Sequence, residues 1–196
     1  MTEGLRVAAV VTAAGSAERF GGDKLFVDID GDPLIDLTIR SLVNGGADHV
    51  YVVVPPLCER FVNTPMISAR VDIDVHLLVN GEHAQGMFSS VKIGFAAADA
   101  DTILVLPGDM PFVAHGTVRA LIDRFREQPG IVSPRYRGKR GHPVLLPASL
   151  RRQIQQEPYA SNLHEVIKRH SDQRIDVEVD DPGINRDVDR PEDLAG

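Results

Sequence analysis

The stretch Val7-Ala8-Ala9-Val10-Val11-Thr12-Ala13-Ala14-Gly15-Ser16-Ala17-Glu18-Arg19-Phe20-Gly21-Gly22-Asp23-Lys24 decides how the rest of the chain is read. Residues 7–11 are apolar without alternation, as in a strand covered on both faces. The residues after them are small and glycine-rich, so the backbone can turn sharply and present N–H groups to an anion. Arg19 offers a planar fork of donors to phosphate oxygens, and Lys24 a mobile point charge. A buried strand running into such a loop reads as the start of an open α/β sheet, where ligands bind beyond the carboxyl ends of the strands. By composition the loop is either a generic glycine-rich turn or a phosphate cradle. It is neither G-x-x-x-x-G-K-[ST], since Lys24 precedes Leu25, nor G-x-G-x-x-G, since Gly15 is followed by Ser16 and Ala17.

Downstream, strand and helix patterns alternate. Asp32 is expected to cap a helix with Pro33 in its first turn, Ile35, Ile39, Leu42 and Val43 on its apolar face and Gly45-Gly46 at its end. Residues 50–54 and 71–79 read as the second and third strands. Met87, Val91, Phe95 and Ala98 mark a core-facing helix, and 102–106 a fourth strand ended by Pro107-Gly108. Val118, Leu121, Ile122 and Phe125 mark another helix. Short strands at 131–133 and 143–146 flank a basic turn at 135–140. Ser161 is the expected cap of a helix bearing Leu163, Val166 and Ile167; a late strand at 175–179 and a helical turn at 191–195 close the chain. Such βαβ units predict an α/β fold in three layers, Rossmann-like, with a mostly parallel sheet and helices on both faces. No repeat or long linker divides the chain, so residues 1–196 are expected to form one domain.

Composition narrows the function. With 43% hydrophobic and 25% charged residues, the chain reads as globular rather than disordered or membrane-embedded. No apolar run approaches the roughly 20 residues of a membrane span. The apolar stretch near the N-terminus is short and meets charges at Glu18 and Arg19, which reads as a strand rather than a secretory leader. The single cysteine, Cys58, excludes an internal disulfide framework and a cysteine-rich zinc site, and agrees with a cytoplasmic location. A net charge of −7 argues against nonspecific nucleic-acid binding, so a bound polyphosphate needs a few local basic residues and a metal. The seven histidines show no H-E-x-x-H spacing.

The run Ala13-Ala14-Gly15-x-x-x-Arg19-Phe20-Gly21-x-x-Lys24 resembles the nucleotide-binding signature of the nucleotidyltransferase superfamily, L-A-A-G-x-S-x-R-[MF]-G-x-x-K. Three further segments are similar to the branch of molybdenum cofactor cytidylyltransferases: Gly86-Met87-Phe88-Ser89-Ser90-Val91, Leu106-Pro107-Gly108-Asp109-Met110-Pro111 and Gly141-His142-Pro143-Val144-Leu145. A fourth, Asp187-Val188-Asp189-Arg190-Pro191-Glu192-Asp193, resembles that branch's D-[IV]-D-T-P-E-D. The matches fall in family order from residue 7 to 194. Thr12, Ala17 and Arg190 depart from the usual residues, and the usual G-D-x-G-A-R segment is not recognisable in 155–166, which puts the acceptor in question.

The resemblance implies a nucleotidyltransferase / glycosyltransferase-A-like fold and gives the candidate residues roles. Arg19, Lys24 and Asp109 carry catalysis. Ala13, Ala14, Gly15, Arg19, Lys24, Asn80, Gly86 and Ser90 bind the nucleotide, although Ser89 and Ser90 also read as ordinary first-turn residues of a helix. Asp109 and Asp187 hold Mg²⁺, because magnesium at triphosphates takes one or two carboxylates; Asp109 can also be a simple turn residue. Asp189 stands three residues before Glu192 with Pro191 between, a capping box, so it has a structural job that Asp187 lacks. His142 either supports its loop or meets an acceptor phosphate, and Arg135, Arg137, Lys139 and Arg140 form either a solvated turn or a steering patch.

The implied reaction is attack by an acceptor phosphate on the α-phosphorus of a nucleoside triphosphate, with CTP the favoured donor and molybdopterin the acceptor. The rivals are the same fold with GTP or another phosphorylated small molecule, a non-catalytic nucleotide-binding module, and a sugar-nucleotide glycosyltransferase. The last would carry D-x-D after its strand, whereas Asp99-Ala100-Asp101 precedes the fourth strand. Neither nucleic acid nor membrane is an expected partner, and the sequence leaves the oligomeric state open.

Overall fold

Of the apolar runs read as buried strands, 7–11, 50–54 and 102–106 form the centre of one mixed sheet, whereas the third lies at its edge among the described residues, with His76, Leu77 and Val79 exposed. The computed structural model describes residues 4–15, 24–56 and 73–194. Its strands are β1 (Val7–Thr12), β2 (Asp28–Ile29), β3 (Asp32–Pro33), β4 (His49–Val54), β5 (Asp74–Val79), β6 (Thr102–Pro107), β7 (Ile131–Tyr136), β8 (Lys139–Arg140), β9 (Val144–Pro147) and β10 (Arg174–Glu178). Its α-helices are α1 (Leu34–Gly45), α2 (Met87–Ala97), α3 (His115–Glu127), α4 (Arg151–Gln156) and α5 (Leu163–Arg169).

The sheet runs β10-β7-β9-β6-β1-β4-β5, with β8 paired to β7 and a separate β2-β3 ribbon. The pairs β1–β4, β1–β6, β4–β5 and β10–β7 are parallel, while β9 runs antiparallel to β6 and β7. The chain moves outward from β1 through β4 to β5, then returns through α2 to β6 on the other side. Strand order therefore reverses at β1, and a crevice opens there beyond the carboxyl ends of β1 and β6.

Alternate residues of the sheet face two cores. Val7, Ala9 and Val11 pack with Ile35, Ile39 and Leu42 of α1 and Val118, Leu121 and Phe125 of α3. Ala8 and Val10 pack with Phe88, Val91 and Phe95 of α2 and with Ile154, Val166 and Ile167 of α4 and α5. Each large side chain so buried stabilises the fold by about 1.5–3 kcal/mol relative to exposure. The result is the expected three-layer α/β architecture. Among the described residues, no helix is long and apolar enough to cross a membrane.

Several local expectations change. Helix α1 begins at Leu34 after Pro33, without a side-chain cap. Asp32 instead accepts two 2.9 Å bonds from the Arg40 guanidinium, a charge-assisted pair stronger than a cap bond. The cap of α5 is Asn162, whose Oδ1 accepts the Glu165 N–H at 2.9 Å, while Ser161 Oγ donates to the Glu165 carboxylate. Asn162 wins because it alone directly precedes the first helical residue in extended conformation. On α2 the inward stripe is Phe88, Val91 and Phe95, and Met87 is half exposed. The third strand begins at Asp74; residues 71–72 lie outside the described residues.

Candidate active site

Backbone hydrogen bonds tie the strand ends into a rim. Ala13 N–H donates to Val53 at 2.8 Å, Asn80 N–H to Val54 at 2.8 Å and Gly108 N–H to Thr12 at 3.0 Å. Ala13 and Ala14 are buried, and Gly15 is exposed on the rim. Arg19, with Phe20, Gly21 and Gly22, lies outside the described residues. Lys24 re-enters at the rim as a buried side chain.

Lys24 is the hinge of the site. Its Nζ donates to Asp109 Oδ2 at 2.8 Å and to Asp189 Oδ1 at 2.7 Å. Burial alone would lower the lysine pKa, but the hydrogen bonds and charges of Asp109 and Asp189 outweigh it and hold the pKa raised. Two carboxylates from distant parts of the chain thus converge on one cation. Asp189 thus has a role its capping-box spacing does not predict, and it is Asp193 whose Oδ2 accepts the N–H groups of Asp189 and Arg190 at 2.9 and 2.7 Å. Asp187 is exposed and lines the adjoining cleft, and among the described residues no hydrogen bond or ion pair connects it to Lys24 or Asp109.

The C-terminal segment reaches Asp109 because two glycines let backbones touch. A Cβ on Gly183 would stand 2.0 Å from the Phe112 carbonyl oxygen, and one on Gly141 2.1 Å from that of Ile184. His142 N–H donates to Ile184 at 2.8 Å, and Val188 N–H to Asp109 at 2.9 Å. The buried Asp181 locks the start of the segment, accepting from Ala114 N–H, Thr117 Oγ1 and Gly183 N–H. The Arg186 guanidinium lies 3.9 Å from the Phe112 ring centroid.

On the other flank, the β5–α2 loop is organised from within. The fully buried Asn80 donates from Nδ2 to Ser89 Oγ at 2.8 Å and Ser90 Oγ at 2.9 Å, and its Oδ1 accepts the Glu82 N–H at 2.9 Å. Both amide hydrogens are therefore committed inside the protein, and Ser90 is itself buried. Gly86 opens α2 with φ 93° and ψ 176°, a conformation essentially restricted to glycine, and faces open space.

Beside Asp109 lies a cleft of about 980 Å³. Asp109, Asp187, Arg135, Arg140, Arg174 and His142 are among the residues that line it. Arg140 is engaged by Asp176 through two bonds of 2.7 and 2.8 Å, which hold that carboxyl below its usual range. Arg174 is more deeply set: burial, with Arg140 nearby, lowers its pKa; its Nη2 donates to Ser133 Oγ at 3.3 Å, and its Nε, 4.0 Å from Asp176 Oδ1, makes no hydrogen bond among the described residues. His142 is held below its ordinary pKa by burial, against the pull of a backbone contact at Val105 and of Asp109 and Asp187; its Nδ1 is unpartnered among the described residues. Asn162 and His164 also line the cleft. The segment that departs from the family pattern therefore forms part of this wall. Sequence reasoning missed Arg174, which belongs to no motif, and the pairing of Asp189 with Lys24.

A glycine-rich loop at the reversal point of an α/β sheet, with a lysine and carboxylates beyond the strand ends, defines a nucleotide-binding α/β enzyme. The model of the MobA-like NTP transferase domain matches residues 9–174, and the chain belongs to that family of nucleotidyltransferases. The molybdenum cofactor cytidylyltransferase of Escherichia coli K12 is 25% identical over 193 residues, covering 94% of this chain and 92% of its own. The molybdenum cofactor guanylyltransferase of Shewanella sp. MR-4 is 27% identical over 152 residues, covering 75% and 72%. Among solved structures, a nucleotidyl transferase from Methanothermobacter thermautotroptrophicus superposes with a TM-score of 0.73 at 23% identity, covering 97% of this chain and 94% of its own.

Proposed function

We propose that this nucleotidyltransferase moves a cytidylyl group from CTP to the phosphate of molybdopterin, releasing pyrophosphate. One observation carries the reading: the Lys24 ammonium stands between Asp109 and Asp189 at the strand-order reversal, next to a cleft walled by arginines. The Escherichia coli relative, which covers 94% of this chain, is named a cytidylyltransferase, which favours CTP. GTP is the second reading, favoured by the guanylyltransferase among the relatives.

The triphosphate rests on the loop of Ala13, Ala14, Gly15, Arg19 and Lys24, its base toward Gly86. Asn80 and Ser90 shape the base pocket rather than touch the base, since the Asn80 amide is fully engaged. The acceptor lies in the cleft with its phosphate on Arg174, which lines the wall and whose Nε, 4.0 Å from Asp176 Oδ1, makes no hydrogen bond among the described residues. Its phosphate oxygen attacks the α-phosphorus, the bond to the bridging oxygen breaks, and pyrophosphate leaves. An ionised phosphate needs no general base. Lys24 leaves the carboxylates for the phosphates as substrate enters, and catalysis is mostly positioning and charge neutralisation.

The oxygen donors of Asp109 and Asp189, already sharing one cation, fit Mg²⁺. We assign the second carboxylate to Asp189 rather than Asp187, because Asp189 shares that cation with Asp109. Mg²⁺ bound there would neutralise charge on phosphate oxygens. All 196 residues act as one domain in this reading, in a reducing cytoplasm.

The test supplies CTP, GTP and ATP separately with Mg²⁺ and molybdopterin and measures pyrophosphate. Release with CTP well above GTP and ATP is expected. No release with any triphosphate would remove the molybdopterin assignment, and preference for GTP would establish the second reading.

A further inference from the structure

At the far end of β4 and β5 from the cleft, the sheet edge carries a separate cluster. His49 and Asp74 are the first residues of the two strands and pair in register, and Tyr51 pairs with His76 one step along the same face. One ligand atom from each of His49, Asp74 and His76 lies within 4.8 Å of the other two. The His49 and His76 ring centroids are 6.1 Å apart, and Tyr51 stacks on His76 at 4.9 Å and 22°. His49 Nδ1 is closed off from solvent without a hydrogen-bond partner among the described residues, an arrangement that calls for an explanation.

We propose that His49, Asp74 and His76 bind a divalent transition-metal ion of the zinc class, and that the ion fastens β5 to β4. Two imidazoles and one carboxylate suit zinc, nickel or copper, whereas magnesium takes oxygen donors, so the site is chemically distinct from the one formed by Asp109 and Asp189. Three protein ligands leave a fourth position for water. Bonds to zinc of about 2.0–2.2 Å require the three side chains to draw together. Asp74 and His76 are exposed and can rotate to do so, while Tyr51 holds the His76 ring over the sheet. The need is also visible: among the described residues β5 is an edge strand with a single neighbour, and the ion would cross-link its first rung. At roughly 3.3 Å per residue, the five steps from His49 to Val54 put the ion about 16 Å from the rim of the transfer site. The ion therefore lies apart from the nucleotidyl-transfer site.

The test uses the full chain, stripped with a chelator and returned to buffer with excess Mg²⁺. One equivalent of Co²⁺ should give a visible ligand-field spectrum that Zn²⁺ abolishes, and Zn²⁺ should raise the unfolding midpoint. By calorimetry, His76→Ala and Asp74→Ala should each weaken Zn²⁺ binding by about tenfold or more, since even outer partners of metal ligands cost that much. His115→Ala, at an exposed histidine on α3, should bind Zn²⁺ like the wild type. Both exposed variants can be checked for folding by their unchanged midpoint without metal. Equal Zn²⁺ affinity in wild type and His76→Ala would overturn the proposal, as would absence of Zn²⁺ binding by wild type in excess Mg²⁺.

Discussion

The two flanks of the site are built on opposite principles. On the β5–α2 side both polar atoms of the Asn80 side chain are answered inside the protein, and its serine partners are buried with it. On the cleft side, His142 Nδ1 and Arg174 Nε are shut off from water and make no hydrogen bond among the described residues, with Asp176 Oδ1 no nearer than 4.0 Å to the Arg174 Nε. A satisfied network fixes shape, whereas unanswered buried donors and acceptors are costly until a ligand meets them. The contrast assigns the first flank to holding a loop in one conformation and the second to receiving a charged molecule.

Four substitutions would break or sharpen this contrast. The largest effect is expected at the point where the flanks meet: Asp109→Asn should lower kcat by about 10²–10³-fold, as loss of one preorganised electrostatic group typically does, in a pyrophosphate-release assay. Arg174→Met should raise the acceptor KM by about 10–100-fold, the equivalent of one charged hydrogen bond, with the triphosphate KM unchanged. An equal rise in both would erase the distinction between flanks. Asn80→Ala should instead act through stability, costing about 1–3 kcal/mol in denaturant unfolding because the groups that bonded the amide lose their partner.

The smallest effect concerns pH. His142 is held below its ordinary pKa, so between that value and its folded pKa the unfolded chain binds a proton that the native state refuses. The stability this histidine contributes is complete above about pH 6.5 and falls as pH drops toward the folded pKa. In His142→Gln, unfolding free energy should therefore decline less between neutral and mildly acidic pH than in wild type. Parallel declines would show that His142 is not buried neutral.

Much of the fold was legible because buried strands and amphipathic helices leave periodic signals. Residues 7–11 and 102–106 read as strands since both faces are covered, and Gly46, in left-handed conformation, ends α1 where two glycines stand. The antiparallel insertion of β9 was not legible, because pairing partners depend on topology rather than on local pattern. Asp32 misled for the opposite reason: a good cap residue has a better partner in Arg40 eight residues later.

The site divides the same way. Lys24 and Asp109 sit in sequence motifs, but the contact of Asp189 with Lys24 spans 165 positions and leaves no local trace. The capping spacing around Asp189 is real and points elsewhere. Arg174, at the first position of a strand, carries no signal that separates it from a solvated arginine.

Asp109, Lys24 and Asp189 together form the proposed transfer centre, and the most direct measurement compares pyrophosphate release by wild type, Asp189→Asn and Asp187→Asn at saturating Mg²⁺, CTP and molybdopterin. Loss of about 10²-fold or more in Asp189→Asn, with Asp187→Asn within about tenfold of wild type, is the expected result. Full activity in Asp189→Asn together with collapse in Asp187→Asn would contradict it.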